Sequence, residues 1–121
     1  MVSKKLYIKR VIVLQYALES LYKTVVDRKN NPLDGSYTAY LFKEGTDKIL
    51  KRCAEECNEI IISSKNGNNR QTALEISDLI YHITILMADQ GIKLDEVLDE
   101  IKNKSLRING LYYPYKIDDK M

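Results

Sequence analysis

Residues 71–88 read QTALEISDLIYHITILMA, and their pattern decides the fold class. Ala73, Ile76, Leu79, Ile80, Ile83 and Met87 recur every three or four positions, the period of an α-helix rather than the two-residue alternation of a strand. Leu74 and Ile85 make the opposite side apolar too, and a helix that is hydrophobic all round is a buried one. Its only charged residues are Glu75 and Asp78, which fall with His82 on one narrow strip. Removing an ion from water costs several kcal/mol even after relaxation, so both acids need cations or strong hydrogen bonds. The segment contains no lysine or arginine to supply them.

A second acid pair stands upstream, in RCAEECNEIIISSK at 52–65. Helical spacing there predicts a core stripe of Leu50, Cys53, Ala54, Cys57, Ile60 and Ile61, with Glu56 and Glu59 off it. If the two helices face each other, Glu56, Glu59, Glu75 and Asp78 converge as four carboxylates. Mutual repulsion then raises some of their pKa values unless a metal is bound. Hard oxygen donors in such a cluster suit Mg²⁺ or Mn²⁺, and Mg²⁺ commonly shares its shell with phosphates. Lys48, Lys51 and Arg52 precede the acids by one or two turns, where they can meet such phosphates, and Lys65 and Arg70 lie between the pairs. A plainer reading has Arg52 pairing with Glu55 or Glu56 along the helix for about 0.2–0.5 kcal/mol, and His82 as a core histidine bonded to a carboxylate.

The rest of the chain agrees with an all-α bundle of four to five helices. A first helix is expected over 5–29, stopped by NNPLDG at 30–35, and a short one runs from Ser36 to near Gly45. Thr46 is the expected N-cap of a helix over 47–65, which KNGNN at 65–69 ends. The helix just described spans 70–89, and after Gly91 comes an amphipathic helix, KLDEVLDEIKNK at 93–104. With 121 residues the chain is expected to form one domain: an N-terminal extension over 1–13, a body over 14–104, and a tail over 105–121 carrying Tyr112, Tyr113 and Tyr115.

Composition narrows the function. Nineteen basic and 17 acidic residues are mixed along the chain, too evenly for a dedicated nucleic-acid surface. The apolar runs are too short or too interrupted for a membrane span or signal peptide, so a cytoplasmic location is expected. Cys53 and Cys57, one helical turn apart, read as two buried thiols, and with a single histidine there is little material for zinc.

The pattern E-x-x-E, a gap, then E-x-x-D on two helices resembles the all-α nucleoside triphosphate pyrophosphohydrolase superfamily. The surrounding SYTAYLFKEGTDKILKRCAEECNEIIISSKNGN and EISDLIYHITILMADQGIKLDEVLDEI, from about Leu18 to Lys104, are similar to the phosphoribosyl-ATP pyrophosphohydrolase family of histidine biosynthesis. The resemblance implies Mg²⁺ on Glu56, Glu59, Glu75 and Asp78, catalytic work by Glu55, Glu56 and Glu59, and substrate contacts from Ser36, Tyr37, Thr38, Lys51 and Lys65. It implies hydrolysis of 1-(5-phospho-β-D-ribosyl)-ATP to the AMP derivative and pyrophosphate, in a homodimer of interlocked helices. Ala54 replaces the family's usual glycine and Tyr40 a common lysine, so that lysine's contacts are not carried over. The alternatives are a house-cleaning hydrolase of free nucleoside triphosphates and a non-catalytic helical adaptor.

Overall fold

The computed structural model describes residues 3–108, and every element in them is helical: α1 (Lys4–Asn30), α2 (Tyr37–Glu44), α3 (Thr46–Lys65), α4 (Asn69–Gln90) and α5 (Leu94–Ile108). The tail tyrosines Tyr112, Tyr113 and Tyr115 lie outside the described residues. No helix among the described residues is long and apolar enough to cross a membrane.

Helices α3 and α4 form an antiparallel hairpin, joined by Asn66–Asn68. Both ends of the pair are tied by side chains. At the turn end Ser63 Oγ and Thr72 Oγ1 are 2.9 Å apart, and at the far end Thr46 Oγ1 donates to Asp89 Oδ2 at 2.7 Å. Thr46 is therefore not the N-cap that its position suggested. Gly45 takes that role while also ending α2: its N–H donates to the Leu41 carbonyl and its own carbonyl accepts from Ile49. One residue can join two helices this way because Gly45 has φ 98° and ψ −179°, a region essentially closed to side chains.

Helices α1 and α2 close over one side of the hairpin. Lys29 Nζ donates to the Ala88 carbonyl at 2.9 Å, and the Tyr22 hydroxyl to the Ile92 carbonyl at 2.8 Å. The core lies between the four helices: Val25, Leu41, Ile49, Ile85 and Ala88, with Leu21, Val26, Phe42, Tyr81 and Leu86 packed around it. Burying each large aliphatic side chain contributes about 1.5–3 kcal/mol. Gly91 ends α4 in the left-handed conformation, and the Ile92 N–H returns to the Met87 carbonyl, which turns the chain toward α5. That last helix has no buried residue and runs to Ile108, four residues into the expected tail.

The expected α3 stripe splits in two. Cys53 and Ile60 are half-buried, but Leu50, Ala54, Cys57 and Ile61 face outward. Cys57 is thus an exposed thiol, not a buried one. On α4, Ile76, Ile80 and Ile83 are likewise exposed, while Glu75, His82, Ile85 and Ala88 point inward. The inward faces of α3 and α4 carry Glu56, Glu75 and Asp78 beside the core residues Ile49, Ile85 and Ala88, while much of each expected apolar stripe looks away.

Candidate active site

The hairpin places Glu56 of α3 opposite Glu75 and Asp78 of α4. One carboxylate oxygen from each lies within 4.8 Å of the other two. Glu56 is 4% exposed and Glu75 9%, with Asp78 half-buried. Burial, followed by the shared hydrogen bond and negative charge of Glu75, pushes the Glu56 carboxyl up to about 7; Arg52 opposes this. Gln71, one turn before Glu75, donates to Glu75 Oε1 at 2.6 Å and fixes that side chain.

Arg52 reaches the cluster from one turn earlier on α3. Its two terminal nitrogens form a fork across Glu55 and Glu56, the latter at 3.0 Å, so the plainer reading of its sequence spacing is correct for both glutamates at once. Its Nε donates to the Tyr37 hydroxyl at 3.0 Å. This links α3 to α2, and the chain continues into α4. The Tyr37 hydroxyl lies 3.2 Å from His82 Nε2, and His82 Nδ1 lies 2.8 Å from the Asp78 backbone carbonyl.

The carbonyl can only accept, so Nδ1 carries a proton and donates to it. Burial lowers the His82 pKa and keeps the ring neutral, which leaves Nε2 as an acceptor. Tyr37 therefore donates to His82 and accepts from Arg52. The 3.7 Å approach of His82 Nδ1 to Glu56 is then a contact with a neutral ring, not an ion pair. Tyr81 completes the wall: its ring meets His82 edge-on at 5.1 Å, and its hydroxyl bonds to Thr38.

Each expected site residue has a definite place. Glu56, Glu75 and Asp78 come together; Glu55 is half-buried and held by Arg52; Glu59, one turn beyond Glu56, is exposed and is not one of the three converging acids. Ser36 caps α2, its Oγ accepting from the Ala39 N–H, while Tyr37 and Thr38 face α4. Lys51 and Lys65 are both exposed on α3. Sequence reasoning missed Gln71 and Tyr81. A glutamine four residues before a buried acid was an available signal for Gln71, whereas Tyr81 needs the position of α2.

Three carboxylates around one space have hard oxygens and an excess of negative charge, which is the donor set of a divalent cation such as Mg²⁺ or Mn²⁺. Residues 18–105 match the family described as phosphoribosyl-ATP pyrophosphohydrolase. The chain is 42% identical over 105 residues to a phosphoribosyl-ATP pyrophosphatase of Bacillus cereus, covering 87% of this chain and 98% of the relative. It is 46% identical over 91 residues to one of Clostridium botulinum, covering 75% of this chain and 83% of that protein. The histidine biosynthesis bifunctional protein HisIE of Thermoanaerobacter pseudethanolicus is 49% identical over 83 residues, which are 69% of this chain and 38% of that longer protein. With an all-helical fold, acids converging between α3 and α4, and matches over most of its length, the chain belongs to the phosphoribosyl-ATP pyrophosphohydrolase family.

Proposed function

We propose that this chain hydrolyses 1-(5-phospho-β-D-ribosyl)-ATP to 1-(5-phospho-β-D-ribosyl)-AMP and pyrophosphate, the second step of histidine biosynthesis. The convergence of Glu56, Glu75 and Asp78 in a member of this family carries the reading. These three would hold Mg²⁺, with Mn²⁺ as a substitute; once bound, the cation orients the triphosphate and neutralises charge that develops on it. Gln71 and Arg52 hold Glu75 and Glu56 in place. Glu59, exposed one turn beyond Glu56, completes the proposed metal set from the solvent side, and as a Glu of the first pair it is also our choice of general base. Glu55 steadies Arg52 at the edge of the cluster. Ser36, Tyr37, Thr38, Lys51 and Lys65 are the proposed substrate contacts, and Tyr37 and the two lysines are exposed to solvent.

Pyrophosphate release from phosphoribosyl-ATP, measured against ATP, dUTP and dCTP with and without Mg²⁺, tests the assignment. A preference for any free nucleotide would transfer the chain to the house-cleaning class, and no metal-dependent turnover of any substrate would make it an adaptor.

The same reading includes a homodimer. Leu50 and Ile61 on α3, and Ile76, Ile80 and Ile83 on α4, are exposed on the outer face of the hairpin. Large apolar side chains left exposed on neighbouring helices suggest an interaction site. A second copy, packing the same face, would cover it as a two-fold interface. Sedimentation velocity is expected to give a dimer at micromolar concentration, and Ile80→Glu a monomer. A monomeric wild-type chain would refute the dimer.

A further inference from the structure

Beside α2 lies a cavity of about 550 Å³, on the face of that helix opposite Tyr37 and Leu41. Three cations line it: Arg28 and Lys29 from the last turn of α1, and Lys43 from the last turn of α2. Asp34, Ser36 and Tyr40 line it as well. We propose that this cavity binds the phosphoribosyl end of the substrate, with Arg28 and Lys43 on its 5′-phosphate; the proposal rests on the reaction assigned above.

The donors are available. Arg28 uses one terminal nitrogen on Asp27, and a guanidinium has five N–H groups. Lys29 gives one of its three to the Ala88 carbonyl, which also holds the ammonium at the cavity wall. A phosphate monoester is what guanidinium and ammonium groups in one concavity recognise best. The second acid of the lining, Asp89, is engaged by Thr46 and Gln90, which leaves Asp34 as the carboxylate suited to accept from ribose hydroxyls.

The cavity and the acid cluster lie on opposite sides of α2, near its N-terminus. Ser36 lines the cavity, and the next residue, Tyr37, touches Arg52 and His82. On α4, Asp89 at the cavity and Asp78 at the cluster are separated by about 16 Å of helix axis. A ligand with a phosphate ester at one end and a triphosphate at the other can bridge that span around the N-terminus of α2; a free nucleoside triphosphate leaves the cavity empty. Cations at helix C-termini also complement the helix dipole, a role that requires no ligand. The two roles differ in their consequences for substrate choice.

The test is steady-state pyrophosphate release by the full chain with phosphoribosyl-ATP and with ATP, together with amide NMR titration by ribose 5-phosphate. The double variant Arg28→Gln/Lys43→Gln is expected to raise KM for phosphoribosyl-ATP at least ~10-fold, with the loss in KM rather than kcat, because binding common to ground and transition states is removed. Preference for phosphoribosyl-ATP over ATP falls by the same factor, and Arg28→Lys/Lys43→Arg restores it. Ribose 5-phosphate is expected to shift the Ser36 and Lys43 amides of the wild type. An unchanged KM, an equal loss toward ATP, or shifts confined to other regions would overturn the site and leave the reaction standing. A wild-type chain that releases no pyrophosphate from phosphoribosyl-ATP overturns both.

Discussion

Without a bound cation, the folded protein is expected to lose stability as pH rises from about 4.5 to about 7, and Mg²⁺ should abolish the loss. The cause is Glu56, whose carboxyl is lifted from 4.5 to about 7 by burial and by sharing a proton with Glu75. A folded-state pKa above the unfolded one means that the native state binds the proton more tightly. Its stabilising effect is complete below the unfolded pKa and disappears as pH passes through the folded one. A shift of that size corresponds to about 3 kcal/mol, and for a chain of this length to a fall in Tm on the order of 10 °C. A divalent cation held by Glu56, Glu75 and Asp78 would need Glu56 ionised, so its uptake should release that proton.

The assay is chemical unfolding at pH 5 and pH 8, at fixed protein concentration, in EDTA and in saturating Mg²⁺, for the wild type and for Glu56→Gln. Other groups titrate over this range, so the difference between the two proteins isolates Glu56. The wild type in EDTA should be weaker at pH 8 by an amount that the variant does not show, and Mg²⁺ should strengthen only the wild type, most at pH 8. If wild type and variant share one pH slope, or Mg²⁺ stabilises both equally, the account of the acid cluster is wrong.

Glu59→Gln and Asp78→Asn should each lower kcat by orders of magnitude while circular dichroism shows an intact helical fold; near-normal turnover in Glu59→Gln would remove it as the base. Gly45→Ala should cost about 1–3 kcal/mol in urea unfolding, since its φ of 98° strains any side chain although open space surrounds the added carbon. Leu41→Ala, at a position with no exposed surface, should cost about 2–5 kcal/mol and leave KM unchanged if the bundle holds its shape.

Helix type and approximate bounds were legible from the sequence because apolar periodicity and glycine breaks are local signals. Gly45 against Thr46 shows where that stops. A threonine at the start of a helical pattern is a fair N-cap, but whether its hydroxyl caps its own helix or bonds Asp89, 43 residues away, depends on the register of the hairpin. The acids were legible for a different reason: a carboxylate on an otherwise uncharged helix is conspicuous wherever that helix packs. Arg52's bond to Tyr37 and the continuation to His82 were not, because they need α2 laid across both long helices, a placement set by Leu41, Ile49 and Ile85 meeting in the core.

On α3 the apolar stripe and the buried side are different faces. A helical wheel finds the apolar side and identifies it with the core of the chain, yet in this hairpin the inward sides of α3 and α4 hold Glu56, Glu75, Asp78 and His82. A site for a charged ligand needs walls that keep its groups apart from bulk water, and in a chain this small α3 and α4 supply those walls as well as the core residues Ile49, Ile85 and Ala88. Under the proposed dimer, the surface that Leu50, Ile61, Ile76 and Ile80 lose to water in a single chain becomes the second core, and stability and site depend on one association. Ile80→Glu is therefore expected to lower the unfolding midpoint as well as the mass, even though Ile80 is exposed and is none of the three converging acids.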